Sequence, residues 1–404
     1  MSTFECPVVR VAIEPHPNAD AIELARVGGY LAIVKKGQLK DGDLAVYIPE
    51  QAVLPEWLLK LLGFWNDLNG KGTLSGGGNR VRAIKLRGVL SQGLLIPFMV
   101  GEDDGFHHLP TPGEHPELGV NFDYDAFPDV AEGQDFANYL GVIKYEPQVP
   151  AHLAGRTAGG DLDATIAYDF ENLKKIPDLF GEDQEVVITE KIHGTCLQVG
   201  LVPRRIWEGK AWADKCPDFG DYKGVVTSKG QSAKGLMLDP GDDNNLYVRQ
   251  AREIWPALQN IARNAPDGMP IFVFGEIFGA GVQDLGYGHG NPDYRLFDMY
   301  IGTRSDGSFV HWDFFYEMCQ EYGLPVVPIL WRGLFDKDVL ARHTDGDTTL
   351  LSQGRKPPVK QIREGVVVRD VRSSSARHPR HGRYIAKSVS AAYLTRKGEV
   401  TEFN

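Results

Sequence analysis

Short runs in which apolar and polar residues alternate, each bounded by turn residues, recur along this chain and restrict it to β-rich folds. In the first hundred residues these runs include VVRVAIEP, ELARVGG, YLAIVKK, LAVYIP and VRAIKLRGVLSQGLLIP. Regularly spaced short strands with turn residues between them are typical of a small β-barrel. We therefore predict a barrel domain over residues 1–100.

A second group of strand-like runs begins after residue 137 and includes EVVIT, TCLQVGLV, GVVTSK, IFVFGE, YRLFDMYIG and EGVVVRDV. Two helices are predicted among them, over 168–179 and over 312–322, the second ending at Gly323. This pattern indicates an α+β domain built largely of antiparallel sheet, over residues 137–404. Residues 101–136, acidic and rich in proline and glycine, are predicted to form a linker or loop.

Charge is distributed unevenly along the chain. The net charge of −11 argues against a polyanionic partner, but residues 101–135 hold ten acidic residues and no lysine or arginine. The rest of the chain carries −1, and basic clusters lie at residues 80–87 and 369–397. Because the local field governs the binding of a polyanion, a nucleic-acid partner stays possible; the alternative is that both clusters are solvated faces.

The four cysteines, Cys6, Cys196, Cys216 and Cys319, are scattered and form no CxxC pair. Such spacing is typical of reduced thiols and predicts a cytoplasmic protein. No signal-peptide pattern is present and no apolar run approaches the roughly 18 residues of a membrane span, so no membrane association is expected. The sequence also lacks the GxxxxGK[ST] phosphate loop.

One lysine occupies an unusual place, in the stretch VVITEKIHGTCLQVG at residues 186–200. Lys191 ends an apolar strand and precedes His193 and Gly194, whereas lysine side chains mostly lie at the surface. Burial and nearby positive charge lower a lysine pKa, and a glycine lets a bulky group approach the backbone. This arrangement suits an amine that attacks phosphorus. The alternative is a strand-end lysine whose ammonium group reaches water.

Five further residues at predicted strand ends or turns favour the interpretation of Lys191 as a nucleophile. Glu276 in VFGEIFG and Glu364 in REGVVVRD are carboxylates suited to a metal, its water or a ribose, or else are surface residues. Phe297 in YRLFDMY could stack on a base or be a plain core residue. Lys229 in TSKG and Lys387 in YIAKSVS could line a triphosphate groove together with Lys191.

These stretches, in this order, resemble the motifs of the covalent nucleotidyltransferase superfamily, which comprises polynucleotide ligases and capping enzymes. EKIHGT resembles motif I, TSKG motif Ia, FGEIFG motif III, YRLFDMY motif IIIa, EGVVVRD motif IV and YIAKSVS motif V. Lys191 matches the lysine that becomes adenylylated. His193 stands where DNA ligases and capping enzymes carry aspartate, and Lys-x-His-Gly is the version found in one RNA ligase branch.

The order of the domains adds to the resemblance. DNA ligases and capping enzymes carry an OB barrel after motif V, whereas here 17 residues follow Lys387 and the barrel comes first. This is similar to the RNA ligases in which an N-terminal OB domain precedes the transferase. PHPNADAIELARV at 15–27 also resembles the start of tRNA-binding OB modules. The resemblance therefore implies an RNA-facing barrel.

The resemblance implies an ATP-dependent RNA ligase that joins 3′-OH and 5′-phosphate RNA ends, in RNA repair or the sealing of a nicked duplex. Lys191 would form lysyl-AMP and Lys387 would contact the α-phosphate, with Mg²⁺ or Mn²⁺ offsetting charge. Many ligases carry Lys-x-Lys in motif V; here Arg383 or Lys397 could supply the second charge. The oligomeric state is left open.

The resemblance also assigns the nucleotide contacts. Backbone groups of Glu190 and Ile192 are expected to read the adenine edge, and His193 either positions phosphate or makes a structural hydrogen bond. Metal contacts are expected from Glu364 and Glu276, and Glu276 could instead hold a ribose hydroxyl. The residues expected to bind ATP are Glu190, Ile192, His193, Gly194, Lys229, Glu276, Phe297, Glu364 and Lys387.

Three alternatives remain. A DNA ligase or a GTP-dependent capping enzyme is of the same class, but His193 and the leading barrel argue against both. A non-catalytic RNA-binding protein that retains the fold would not need Lys191, Glu276, Glu364 and Lys387 together. A tRNA-associated factor defined by its barrel would leave the C-terminal two-thirds of the chain unexplained.

Overall fold

The computed structural model describes residues 4–74, 78–112, 122–145, 155–264, 268–350, 361–372 and 377–396. These residues form two compact units. One contains the described residues up to 145 together with 394–396, and the other contains residues 155–393. In the described ranges, no helix is both long and apolar enough to cross a lipid bilayer.

The N-terminal unit is built mainly of short antiparallel strands. Its two helices are α1 (Glu56–Leu61) and α2 (Ala137–Leu140). Its strands are β1 (Val8–Arg10), β2 (Ala12–Pro15), β3 (Ile22–Val27), β4 (Tyr30–Lys35), β5 (Leu44–Ile48), β6 (Ala52–Val53), β7 (Trp65–Asn66), β8 (Lys71–Gly72), β9 (Ile84–Leu86), β10 (Val89–Ser91), β11 (Leu94–Pro97), β12 (Met99–Val100), β13 (His107–Pro112), β14 (Phe122–Phe127) and β15 (Ile143–Lys144).

Two three-stranded sheets, in the orders β1-β5-β11 and β2-β3-β4, enclose the core of the predicted barrel. On the central strands, Ala25 and Ala45 are fully buried and lie in one apolar cluster with Leu95. A hairpin of β9 and β10 projects its turn residues Lys85–Gly88 into solvent. The prediction of a small β-rich domain at the N-terminus is thus confirmed.

The prediction of a linker over residues 101–136 is wrong for residues 101–112 and 122–136, and residues 113–121 lie outside the described part of the chain. Strands β12, β13 and β14 form a three-stranded sheet within the N-terminal unit. Leu109 and Phe136 are buried in a core cluster that also contains Leu54. The acidic residues of this segment that the structure describes are exposed, as at Asp123 and Asp125, so its acidic composition reflects an outer face.

The C-terminal unit contains two larger antiparallel sheets, in the orders β24-β17-β25-β28 and β19-β18-β21-β22-β23. Its strands are β16 (Thr157–Gly160), β17 (Glu185–Lys191), β18 (Thr195–Pro203), β19 (Tyr222–Ser228), β20 (Leu236–Leu238), β21 (Ile271–Phe278), β22 (Asp293–Ile301), β23 (Ser308–Phe309), β24 (Ile329–Leu334), β25 (Gly365–Asp370), β26 (Arg377–His378), β27 (Gly382–Arg383) and β28 (Ile385–Val389). The predicted α+β class with largely antiparallel sheet is confirmed.

Helices cover parts of these sheets. They are α3 (Arg204–Trp207), the 3₁₀ helix Ala211–Lys215, α4 (Lys229–Ser232), α5 (Leu246–Asn264), α6 (Trp312–Glu321), α7 (Lys337–Thr344) and α8 (Ala391–Leu394). The prediction over 312–322 is confirmed by α6, whose N-terminus is capped by His311 and which is followed by Gly323 at φ +66°. Helix α5, which packs on the second sheet, was not predicted.

The helix predicted over 168–179 is wrong, because these residues form irregular structure and turns. The Asn172 side chain accepts a hydrogen bond from the amide of Lys174, which closes a local turn. Leu173 donates its amide to the carbonyl of Lys387, and Lys387 donates its own to Glu171. Pairing with β28 therefore replaces helical hydrogen bonds.

Candidate active site

Lys191 lies where the chain passes from one large sheet to the other. It is the last residue of β17, and four residues later Thr195 opens β18 in the second sheet. The Lys191 Nζ atom lies 3.3 Å from Oε1 of Glu364, with side-chain exposures of 13% and 1%. The proximity of Lys191 to Glu364 agrees with the expectation that this lysine lies near the motif carboxylates.

Strand register explains why Lys191 and Glu364 meet. Lys191 is paired with Gly365, the first residue of β25, and Glu364 immediately precedes that residue. The backbone carbonyl of Glu364 accepts a hydrogen bond from the amide of Ser390, just beyond β28. Three segments far apart in sequence therefore hold the amine and the carboxylate together.

Lys387 lies on the same face of the first sheet as Lys191. It is paired with Val367, which is paired with Thr189, two residues before Lys191. Residues two apart on a strand share a face, so Lys191 and Lys387 lie on the same face. Two strand spacings across the sheet, combined with the offset of two residues along it, put the Cα atoms of the two lysines roughly 12 Å apart. Two long side chains on that scale can reach the same phosphate group.

Gly194 is required by the backbone of a neighbouring strand. A Cβ atom there would lie 2.0 Å from the carbonyl oxygen of Ile277 and 3.0 Å from Cγ of Glu276. Glycine therefore lets β21 approach the turn after Lys191, which differs from the expected role of admitting a nucleotide. The same contact places the stem of Glu276, which is paired with Cys196, close to this turn.

His193 is held by contacts with two side chains. The ring is buried, with Nε2 2.7 Å from Oδ1 of Asp284 and Nδ1 3.0 Å from the hydroxyl of Tyr393. Because a carboxylate only accepts, a neutral ring with its proton on Nε2 satisfies both contacts. These hydrogen bonds are made to side chains rather than to a neighbouring strand, and a role of His193 in positioning phosphate stays a prediction.

Tyr287 supports the same turn from the other side. Its hydroxyl accepts a hydrogen bond of 2.6 Å from the backbone amide of His193. Burial raises the pKa of Tyr287 well above its usual range, and the negative charge of Glu364 raises it further. The phenol is therefore neutral and remains a hydrogen-bonding group beside the Lys191–Glu364 pair.

The side chains of Glu190 and Ile192 are engaged within the protein. The Glu190 carboxylate accepts hydrogen bonds from the Thr348 hydroxyl and from the amide and hydroxyl of Thr349, and its own amide is donated to Pro328. Ile192 is 3% exposed and lies in the core. Contacts from these residues to adenine could come only from remaining backbone groups, which stays a prediction.

Phe297 occupies a bulge in β22. Register shifts there, so that Asp298 is paired with Phe274 while Leu296 is paired with Gly275, leaving Phe297 as the extra residue. Bulges redirect a side chain, and Phe297 is partly exposed with its ring 5.2 Å from that of Tyr168. This position is compatible with stacking on a base, which stays a prediction.

A buried ionic cluster lies next to Phe297. The Asp298 carboxylate, 1% exposed, lies 2.9 Å from Arg383 Nη2 and 3.4 Å from Arg369 Nη1 and accepts a hydrogen bond from the Tyr168 hydroxyl. Burial raises the pKa of Tyr168, and Asp298 adds to that effect. Arg383, one of two residues considered for a second charge in motif V, is thus committed to Asp298; Lys397 lies outside the described residues.

Lys229 follows β19 and begins α4. Its Nζ atom lies 3.0 Å from Oδ1 of Asp169, with side-chain exposures of 49% and 25%. Asp169 belongs to the same segment that pairs with Lys387, so one loop contacts two of the predicted lysines. A direct role of Lys229 in binding ATP stays a prediction.

Several residues of this arrangement have no sequence signal. Asp284, Tyr287 and Tyr393 stand in no motif, and only folding brings them to His193. Asp298 was part of YRLFDMY but could not be told apart from a surface aspartate. A pattern search finds the amine and its carboxylates; it does not find the side chains that hold them.

A half-buried amine, an adjoining carboxylate and a second lysine on the same face suit the transfer of a phosphoryl-linked group to nitrogen. The comparisons with known proteins agree. A family model described as RNA ligase matches residues 184–389, and a model described as an OB-fold domain matches residues 7–98. No protein of curated function matches the chain.

Solved structures of a Naegleria gruberi RNA ligase have the same overall fold. The form with PPi is 22% identical, with a TM-score of 0.68 over 97% of this chain and 98% of that chain. A mutant with ATP and Mn is 22% identical, with a TM-score of 0.66 over 96% and 97%. A second mutant, with AMP and Mn, is 22% identical, with a TM-score of 0.67 over 97% of this chain and 98% of that chain.

Fold and site thus define a protein with an N-terminal OB-fold domain followed by a nucleotidyltransferase domain. The match to the ligase model extends over just more than half of the sequence, from the strand that carries Lys191 to the strand that carries Lys387. The chain belongs to the RNA ligase family.

Proposed function

We propose that this protein is an ATP-dependent RNA ligase that joins 3′-OH to 5′-phosphate RNA ends, with Lys191 as the nucleophile. The observation that carries the proposal is the Lys191 amine, 13% exposed and 3.3 Å from the Glu364 carboxylate, on the same sheet face as Lys387. The four free cysteines suit the cytoplasmic location predicted from the sequence.

The first transfer would modify the protein itself. The unprotonated Lys191 amine attacks the α-phosphorus of ATP, a P–N bond forms, the bond to pyrophosphate breaks, and the amine loses a proton to solvent. Lys387 offsets charge on the α-phosphate. His193, Tyr287 and Gly194 hold the turn that aims the amine, since each is fixed to a neighbouring segment.

The second and third transfers would join the RNA. An oxygen of the RNA 5′-phosphate attacks the phosphorus of lysyl-AMP, the P–N bond breaks, and the amine recovers a proton. The RNA 3′-OH then attacks the adenylylated 5′-phosphate, a phosphodiester forms and AMP leaves. The Lys191 amine is restored, which allows a new cycle.

The residues present fit a divalent cation such as Mg²⁺ or Mn²⁺, because Glu364 and Glu276 offer hard carboxylate oxygens near the same turn. Such a cation would offset the negative charge of the phosphates and compete with the Lys191 ammonium for Glu364. The solved N. gruberi ligase structures with Mn and ATP or AMP support this assignment.

Labelling with α-labelled ATP tests the first transfer. The protein and a divalent metal should retain label from ATP, and not from GTP, on a denaturing gel. Lys191→Arg keeps a cation beside Glu364 but removes the nucleophile, so label should be lost, whereas the exposed Lys337→Arg should label normally. Retained label in Lys191→Arg would exclude this nucleophile, and label from GTP alone would indicate a capping enzyme.

Nicked duplexes test the substrate. We expect sealing when RNA is on the 3′-OH side of the nick and none when both sides are DNA. Equal sealing of the all-DNA nick would overturn the RNA assignment while leaving the lysyl-AMP chemistry intact.

A further inference from the structure

Two histidines and an aspartate converge at a place outside the Lys191 site. Asp178, His378 and His381 each offer a ligand atom, and these atoms lie within 4.8 Å of one another. The two imidazole rings stack, with centroids 4.5 Å apart and planes inclined by 14°. Nε2 of His381 lies 2.9 Å from Oδ1 of Asp178.

The donor set selects among metals. Two imidazole nitrogens and one carboxylate are typical ligands of Zn²⁺, whereas Mg²⁺ and Mn²⁺ prefer oxygen donors. In a tetrahedral Zn²⁺ site, ligand atoms lie about 3–3.5 Å apart, so the observed spacing requires only small side-chain movements. Three protein ligands would leave a fourth position for water.

Present contacts of these side chains do not oppose a metal strongly. The Asp178 carboxylate also contacts Arg380. Nδ1 of His378 accepts from the amides of Arg380 and His381 at 3.2 and 3.3 Å. These two distances lie at the long end of the usual range for hydrogen bonds.

The position of the cluster gives it a consequence for the catalytic unit. His378 and His381 belong to the hairpin of β26 and β27, which leads directly into β28 and Lys387. Asp178 belongs to the segment whose residues Glu171 and Leu173 bond to the backbone of Lys387. A metal here would fasten the two segments that flank Lys387.

We propose that Asp178, His378 and His381 bind one Zn²⁺ ion that fastens the β26–β27 hairpin to the 171–180 segment. This ion is distinct from the oxygen-ligated cation that accompanies ATP. The proposal does not depend on the ligase activity, because it rests on a separate set of ligands.

Cobalt titration of the chelator-stripped full chain, without ATP, tests the site. Co²⁺ should give a visible absorption band that saturates at one equivalent, and Zn²⁺ should abolish it, while excess Mg²⁺ or Mn²⁺ should not. His378→Ala and His381→Ala should each weaken Zn²⁺ binding about tenfold or more, and Asp178→Asn, which keeps the side-chain shape, should weaken it as well.

The N-terminal unit offers a matched control. His108 lies 3.1 Å from Asp104, a similar His–Asp pair that belongs to no three-ligand group among the described residues. His108→Ala should therefore bind Co²⁺ and Zn²⁺ as the unmodified protein does. Zn²⁺ should raise the melting temperature of the unmodified protein and of His108→Ala, and not that of His381→Ala.

Two results would overturn the proposal. One is a stripped protein that shows no saturable Co²⁺ band. The other is binding that persists unchanged in both His378→Ala and Asp178→Asn, which would place the metal elsewhere. Circular dichroism of each variant ensures that the comparison is made between folded proteins.

Discussion

Lys191 shares its enclosed position with a negative charge. A carboxylate at 3.3 Å favours the ammonium form, while the proposed chemistry needs the free amine. We propose the same carboxylate as a ligand for a divalent cation, which would exchange its contact with the lysine for a contact with the metal. At the scale of single residues, Glu364 is therefore the group on which the first transfer most depends after Lys191.

Replacing Glu364 with glutamine tests that dependence. We expect Glu364→Gln to slow formation of lysyl-AMP about 100-fold or more, because the neutral amide binds a divalent cation weakly. Single-turnover labelling over a range of Mn²⁺ concentrations measures the rate. Glu317→Gln, on the exposed side of α6, is the control and should behave as the unmodified protein. An unchanged rate in Glu364→Gln would remove this carboxylate from the mechanism.

Gly194 offers a test of backbone packing at the same turn. Gly194→Ala would put a methyl group 2.0 Å from the Ile277 carbonyl, so β21 or the turn must shift. We expect a loss of about 1–3 kcal/mol in the free energy of unfolding, measured by urea titration. Gly230→Ala, where a Cβ meets nothing within 4 Å, should be nearly neutral. Equal stability of the two variants would mean that the turn relaxes freely.

A site residue can be predicted from the sequence when it stands in a short local motif whose chemistry is recognisable. Lys191, Glu276, Glu364 and Lys387 stand in short motifs whose chemistry can be argued from the residues alone. The burial of His193 between Asp284 and Tyr393 cannot be predicted in this way, because those partners lie 91 and 200 positions away in sequence. Long-range side-chain contacts are a property of the fold, and a single sequence does not display them.

At the scale of helices and strands, the spacing of apolar residues predicts some elements and misses others. Helix α5 could have been predicted, since Val248, Ala251, Trp255 and Leu258 recur at helical spacing and are buried. Pro256 inside the helix hides that pattern. The opposite error at 168–179 has a different cause: a segment with helical composition is held by the edge strand β28, and tertiary pairing outweighs local preference.

The β9–β10 hairpin separates the basic cluster at residues 80–87 into two kinds of residue. Arg80 is 7% exposed and its guanidinium lies 3.9 Å from the Tyr145 ring, so it is part of the fold. Lys85 and Arg87 are exposed around the turn, with Arg87 at φ +49°. Lys85 and Arg87 are therefore accessible to a phosphate backbone.

Charge removal at that hairpin tests whether the barrel faces RNA. We expect Lys85→Gln with Arg87→Gln to weaken RNA binding and to lower the slope of log affinity against log salt by about 1–2, while labelling of Lys191 by ATP is unchanged. Fluorescence anisotropy at several salt concentrations measures both. Lys36→Gln, exposed elsewhere on the barrel, serves as the control. An unaltered salt slope would exclude this hairpin from the RNA interface.

At the scale of the whole molecule, the segment 101–136 differs most from its predicted structure, because a linker was predicted where strands β12, β13 and β14 form a sheet. Acidic, proline-rich composition is typical of linkers, yet Leu109 and Phe136 belong to a core. Composition averages over a strand's two faces, and a strand with one charged face and one buried face therefore looks like a loop. The boundaries of the two units could not be found from composition for that reason.

The thiols report on the intactness of the whole fold. Burial raises the pKa of Cys6, with Asp135 adding, and of Cys216 and Cys319, each to about 12. At pH 8 about one in ten thousand of these thiols is ionised, so native protein should react with a disulfide reagent at Cys196 alone, which is partly exposed. Unfolded protein should react at all four.

The raised thiol pKa values of Cys6, Cys216 and Cys319 determine how the stability of the fold changes with pH. The folded state retains these three protons above pH 9, where the unfolded chain releases them, so the free energy of unfolding should fall as the pH rises beyond about 9. Rapid native labelling should disappear in Cys196→Ser. Labelling of all four thiols at one rate at pH 8 would show that the cores open far more readily than their burial indicates.

The buried Asp298 cluster has an evolutionary consequence. Loss of its carboxylate alone would leave the guanidinium groups of Arg369 and Arg383 without this counter-ion, at a cost of about 3–5 kcal/mol, whereas replacing all three by apolar residues can be nearly neutral. Intermediate genotypes are therefore the unfavourable ones. Among related sequences these three positions should covary as a set, either ionic together or apolar together.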